Sequence, residues 1–231
     1  MPLPSLLLPP TSSGADPGLA GRLALLLRGA RAAFLFLGSW RTPTPLAAPP
    51  LGPFPEHLLA SLERNLLDAG LSLGRGGAPP SPPDLALLPS GIAVLPLSVP
   101  LLHPDLLVEI GRAAAEASRP GDGAFVAAQG FVASARGNES ARRRFDDEVL
   151  RLFFEGRGHQ LPNLDPEVWV AARPDQDLAH LFVLLGSAGG TSPGRLLARW
   201  SEPKGTAVVL YLEPEDKALT MIPLRPVDEG A

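Results

Sequence analysis

Residues 124–135 read A-F-V-A-A-Q-G-F-V-A-S-A. Twelve residues without a formal charge, with small side chains on both alternating faces, suit a long strand covered on both sides. The stretch before it, Pro104–Ser118, is the cleanest helical pattern in the chain. Leu106, Leu107, Ile110, Ala113, Ala114 and Ala117 make one stripe, and Asp105, Glu109, Arg112 and Glu116 fall opposite. Arg119-Pro120-Gly121 separates the two.

Working toward the N-terminus, Leu85–Leu88 and Ile92–Val99 flank Pro89-Ser90-Gly91 and predict a hairpin. Pro96 lacks a backbone donor, which predicts an edge position or a bend there. Pro55–Ala69 carries Leu58, Leu59, Leu62, Leu66 and Leu67 at helical spacing, with Gly70 as a stop. Residues 74–84 read as a low-complexity turn, and 42–55 as a proline-rich loop draped on the fold. Residues 32–38, A-A-F-L-F-L-G, read as a buried strand. Asp16-Pro17 signals a further helix start ahead of it.

The order over residues 32–135 is strand, helix, strand, strand, helix, strand, the order of a split βαβ, ferredoxin-like unit. Beyond Gly156 the texture changes. Val168–Ala172, Leu181–Leu185, Leu196–Trp200, Thr206–Leu212 and Ala218–Leu224 are short apolar runs between turn signals. They predict an antiparallel β-meander, although Ser192-Pro193 would equally start a helix at 196–200. The expected class is therefore α+β: an irregular arm at 1–16, a βαββαβ portion at 17–156, and a β-rich portion at 157–231. The last two could be continuous.

The chain has 231 residues, 45% of them apolar, with a formal charge of −4. It is long enough to bury a substantial core, and its charge gives no general attraction to nucleic acid or anionic membrane. With no cysteine, thiolate chemistry and disulfides are excluded. The apolar stretches 19–40 and 85–104 are interrupted by arginines and prolines respectively, so no membrane insertion is expected and a cytoplasmic location is.

The densest charge is in Arg136–Phe154, R-G-N-E-S-A-R-R-R-F-D-D-E-V-L-R-L-F-F. Asn138 is placed to cap a helix at 138–155, and Ala141, Phe145, Val149 and Leu152 make its apolar stripe. Arg142, Arg143 and Arg144 each precede an acid by four residues, so pairing along the helix is the plain reading. Yet they crowd the end where the helix dipole favours anions. Arg136, Asn138, Arg142, Arg143 and Arg144 are thus the candidate site, for a phosphate or carboxylate.

Other signals are thinner. The glycine-rich segment 186–194 fits no phosphate-loop spacing, and Ser187 lacks the context of a nucleophile elbow. His103 with Asp105, and His180 with Asp175 and Asp177, are the close imidazole–carboxylate groupings; helix or loop capping is their plain reading. Trp40, Trp169, Trp200 and Tyr211 suit core or rim packing. No cofactor is implied. The sequence points to a non-catalytic protein-binding or assembly module, its partner another protein or a second copy. The alternative is an anion- or nucleotide-binding protein, or a phosphate-directed enzyme, using the arginine helix.

Overall fold

The computed structural model describes residues 2–38, 44–76, 83–100, 102–132, 138–172, 178–202 and 205–213. Among these residues the chain is mixed α and β, built on one eight-stranded mixed sheet. Its strands are β1 (Ser5–Leu8), β2 (Ala32–Gly38), β3 (Leu46–Ala47), β4 (Gly74–Arg75), β5 (Ala93–Val99), β6 (Ala124–Gln129), β7 (Gly194–Glu202) and β8 (Gly205–Leu212). The helices are α1 (Leu19–Leu26), α2 (Glu56–Asp68), α3 (Pro104–Ala117), α4 (Glu139–Phe154), α5 (Pro166–Ala172) and α6 (Ala179–Ala188), with a 3-10 segment at Gly158–Asn163.

The strand order is β4-β3-β5-β2-β6-β1-β8-β7. The middle four, β5, β2, β6 and β1, are mutually parallel; β3 and β8 flank them antiparallel. This corrects the ferredoxin-like expectation. A split βαβ needs antiparallel neighbours, whereas α1 and α3 here carry the chain back to start parallel strands. β6 is central and covered, as its small residues predict, but it ends at Gln129.

Within the expected irregular arm at 1–16, Ser5–Leu8 instead forms a strand. Ser5–Leu8 is fully buried between β6 and β8, with Leu6 opposite Ala127 on one side and Tyr211 on the other. Four residues between prolines, three of them leucine, look too short for a core strand, and only partners far along the chain make them one. Because β1 joins β6 to β8, strands of both expected portions belong to a single sheet.

Alternation sorts the strands into two cores. Phe34, Phe36, Val126, Ala128, Val208 and Leu210 pack beneath α2, α3, α4 and α6. Ala33, Leu35, Phe125, Ala127, Val209 and Tyr211 pack against α1 and the turn bearing Leu87 and Leu88. That turn replaces the first strand of the expected hairpin, and β5 pairs parallel with β2 instead. Pro96 is tolerated inside the sheet because its carbonyl, accepting from Ala48 N at 2.9 Å, faces the side of two-residue β3. A residue's N–H would point the same way, so the missing donor falls where that ladder ends.

Among the described residues the expected meander appears only as the β7–β8 hairpin. Val168–Ala172 lies in α5, whose start is fixed by Asp165 Oδ1 accepting from Glu167 N at 2.9 Å. Leu181–Leu185 lies in α6, whose side chains are buried almost all round. A helix without a polar face offers no 3.6-residue signal, and a short apolar run of that kind mimics a strand. The run 218–224 lies outside the described residues.

α6 fits because two glycines let it approach α3. A Cβ on Gly111 would meet Val183 O at 1.9 Å, and one on Gly186 would meet Val108 O at 1.9 Å. Each helix thus presses its glycine against the other's backbone. At the end of α6, Ser187's hydroxyl partners Ser5 Oγ at 2.8 Å, tying the helix to β1.

Candidate functional site

In open sheets with parallel strands, ligand crevices lie beyond the strands' carboxyl ends, where crossovers leave on opposite faces. Here α1 and α3 cover opposite faces, and Leu8, Gly38, Val99 and Gln129 end the four parallel strands at this edge. Its described polar groups are largely engaged. Gln129 Nε2 donates to Asp84 O at 2.5 Å, and Ser12 N donates to Asp84 Oδ2 at 2.6 Å. Burial pushes the Asp84 carboxyl up, but the Ala86 and Ser12 donors outweigh it and leave it below its ordinary value. Thr11 Oγ1 donates to the Glu202 carboxylate.

α4 begins beside this edge. Asn138 caps it as expected, its Oδ1 accepting from Ser140 N at 2.9 Å. The predicted pairing of Arg142, Arg143 and Arg144 with the following acids does not form. Arg143 instead bonds back to Glu139 at 2.6 Å, and Glu148 is taken by Arg151 at 2.8 Å. Arg144 has no ion-pair or hydrogen-bond partner among the described residues. Arg142 is half-buried, its Nε shielded from water and without a hydrogen bond. Arg136 lies outside the described residues.

The acids following the arginines are drawn to β7. Arg199 reaches Asp147 at 2.8 Å and Asp146 at 3.8 Å. Asp146 is fully buried, and neither of its oxygens makes a hydrogen bond of normal geometry. Burial pushes its carboxyl up to about 6. The Asp147 charge adds to this, while the Thr206 hydroxyl, Arg199 and Arg142 pull the other way. Asp146 was legible as charge and illegible as core. It shares a buried row with Leu150 and Phe153, beside the row of Phe145, Val149 and Leu152. The apolar arc of α4 is wider than the single stripe read from the sequence.

His180 sits at the start of α6, fully enclosed against Gly130, where a Cβ would meet the imidazole at 2.2 Å. Neither ring nitrogen has a hydrogen-bond partner. Burial lowers its pKa to about 3, with the Phe131 backbone opposing weakly, so the ring is neutral at physiological pH. Its sequence partners Asp175 and Asp177 lie outside the described residues. His103 caps α3, Nδ1 accepting from Asp105 N at 3.5 Å and lying 3.3 Å from the Asp105 carboxylate. His57 contacts Asp122 at 3.3 Å. No three His, Asp or Glu side chains among the described residues gather as a metal site.

Ser187 and Tyr211 are buried in the core, and Trp200 packs on Gly14 with Nε1 donating to Glu202 at 2.9 Å. Trp40 and the Trp169 side chain lie outside the described residues. None of the helices described is long and apolar enough to cross a membrane.

No protein family and no curated protein sequence matches the chain. Among solved structures it is similar to uncharacterized protein JW3007 from Escherichia coli K12, with a TM-score of 0.70 and 16% identity. The similarity covers 91% of this chain and 100% of that one, so the two share a fold.

Proposed function

We propose that the chain is a non-catalytic protein-binding or assembly module that engages its partner along β7. The observation that carries this reading is the strand's position and dress. β7 has nine residues, ends the strand order, and pairs on one side with β8 among the described residues. Its outer row of backbone donors and acceptors can accept another strand. Leu196 is 37% exposed on it, an apolar anchor beside the exposed Arg195 and Arg199. The register shift between Leu196 and Ala198 twists the strand and limits indiscriminate pairing, which favours a specific partner over aggregation.

Light scattering after size exclusion, followed by pull-down from the native lysate, tests the proposal. The wild-type chain is expected to self-associate or retain a partner that Leu196→Lys releases, with the variant's thermal melt unchanged. A monomer that retains nothing, or a complex indifferent to Leu196→Lys, refutes it. The nucleotide-binding reading through Arg136 and Arg142–Arg144 has weaker support, since Arg143 is held by Glu139 and Arg142 is half-buried near Asp146.

A further inference from the structure

Arg144 opens onto a cleft of about 480 Å³ between α4, the 3-10 segment and α5. That volume is in the range of small-molecule sites, about 300–1,000 Å³. The floor is apolar: Leu152 and Val168 are buried and Leu164 packs on the same core.

The charges around the rim are unequally committed. Glu148 is bound by Arg151, and Arg151 also holds Glu155 at 3.0 Å. Asp165 accepts from the first turn of α5 through Glu167 N. Gln160 Oε1 accepts from Arg157 Nη2 at 2.6 Å, which leaves the amide NH2 as its remaining polar group. Arg144 alone among the rim's formal charges has no partner among the described residues. The groups left uncommitted in the cleft are therefore the Arg144 guanidinium, the Gln160 and Asn163 amides and the His159 ring, over an apolar floor.

We propose that this cleft binds a small organic monocarboxylate with an apolar body. The carboxylate meets the Arg144 fork, whose planar donors match two carboxylate oxygens, and the body lies on Leu152, Leu164 and Val168. The Asp165 and Glu148 carboxylates nearby disfavour a doubly charged ligand. This inference is independent of the β7 reading: it uses the opposite side of α4 from Arg199 and needs no second chain.

Methyl NMR titration of the full chain with benzoate, benzyl alcohol and inorganic phosphate decides it. Benzoate is expected to move the methyls of Leu152, Leu164 and Val168, with benzyl alcohol and phosphate each weaker. Arg144→Gln should weaken benzoate binding about tenfold or more, as for loss of a charge-assisted pair. Arg143→Gln makes the same charge change one residue away and should leave binding intact. Absence of methyl shifts with millimolar benzoate overturns the proposal. So does equal weakening by Arg143→Gln and Arg144→Gln, or phosphate or benzyl alcohol binding as tightly as benzoate.

Discussion

Replacing Asp146 with asparagine should stabilise this protein at neutral pH. The side chain is sealed between α4 and the β7–β8 hairpin, with Arg199 at 3.8 Å and no hydrogen bond of normal geometry. Its carboxyl is raised from 3.8 to about 6, first by burial and then by the Asp147 charge. The gap of about 2 pH units, at about 1.4 kcal/mol each, amounts to about 3 kcal/mol. The sign follows from which state holds the proton more tightly. Here the folded state does, so stability falls as pH rises from about 4 to about 6 and the full cost persists above. Asparagine has nearly the same shape and never ionises, and Arg199 keeps Asp147 at 2.8 Å. Urea unfolding of both proteins from pH 3.5 to 8 should show no difference at the acid end. Above pH 7 the variant should lead by about 3 kcal/mol, or roughly 6–12 °C in melting temperature for a chain of this size. An advantage independent of pH, or a variant no more stable at pH 8, refutes the reasoning.

His180 should behave in the opposite sense. Burial lowers its pKa to about 3, so stability is fully present above pH 6.5 and falls as pH drops toward 3; nitrogen NMR of the ring should report a neutral imidazole down to about pH 4. Gly111→Ala or Gly186→Ala should each cost about 3 kcal/mol or more, since the new methyl meets a backbone carbonyl at 1.9 Å. Gly21→Ala, with nothing within 4 Å of its Cβ, should stabilise α1 by up to about 1 kcal/mol; denaturant titration of the three variants separates the cases.

How much of this was legible depends on whether the signal was local. α2, α3 and α4 announce themselves because each has one apolar and one polar face, and Asn138 and Gly70 mark ends that the structure keeps. β2 and β6 were equally readable as buried runs. What failed was everything whose identity depends on a distant partner. β1 is four residues long and becomes a core strand only between β6 and β8. α6 has no polar face because α3 and the sheet enclose it, so its pattern says buried without saying helix. Pro96 misled because the rule against internal proline concerns donors, and its own donor side meets the end of a short ladder. At the arginine helix, residue order correctly predicted the cap and the core stripe. It could not foresee that Arg199, more than fifty residues on, would outcompete the local arginines for Asp146 and Asp147.

The placement of β1 also bears on how the chain comes off the ribosome. Ser5–Leu8 is synthesised well before its ladder partners, Val126–Gln129 in β6 and Leu210–Leu212 in β8. At roughly 5–20 residues per second, β6 follows after roughly 6–25 s and β8 after roughly 10–40 s. For that interval the most buried segment of the sheet has no native neighbour on either side, and α1 and β2 must form without it. Among the described strands the sheet's interior is completed late, when the β7–β8 hairpin closes on β1.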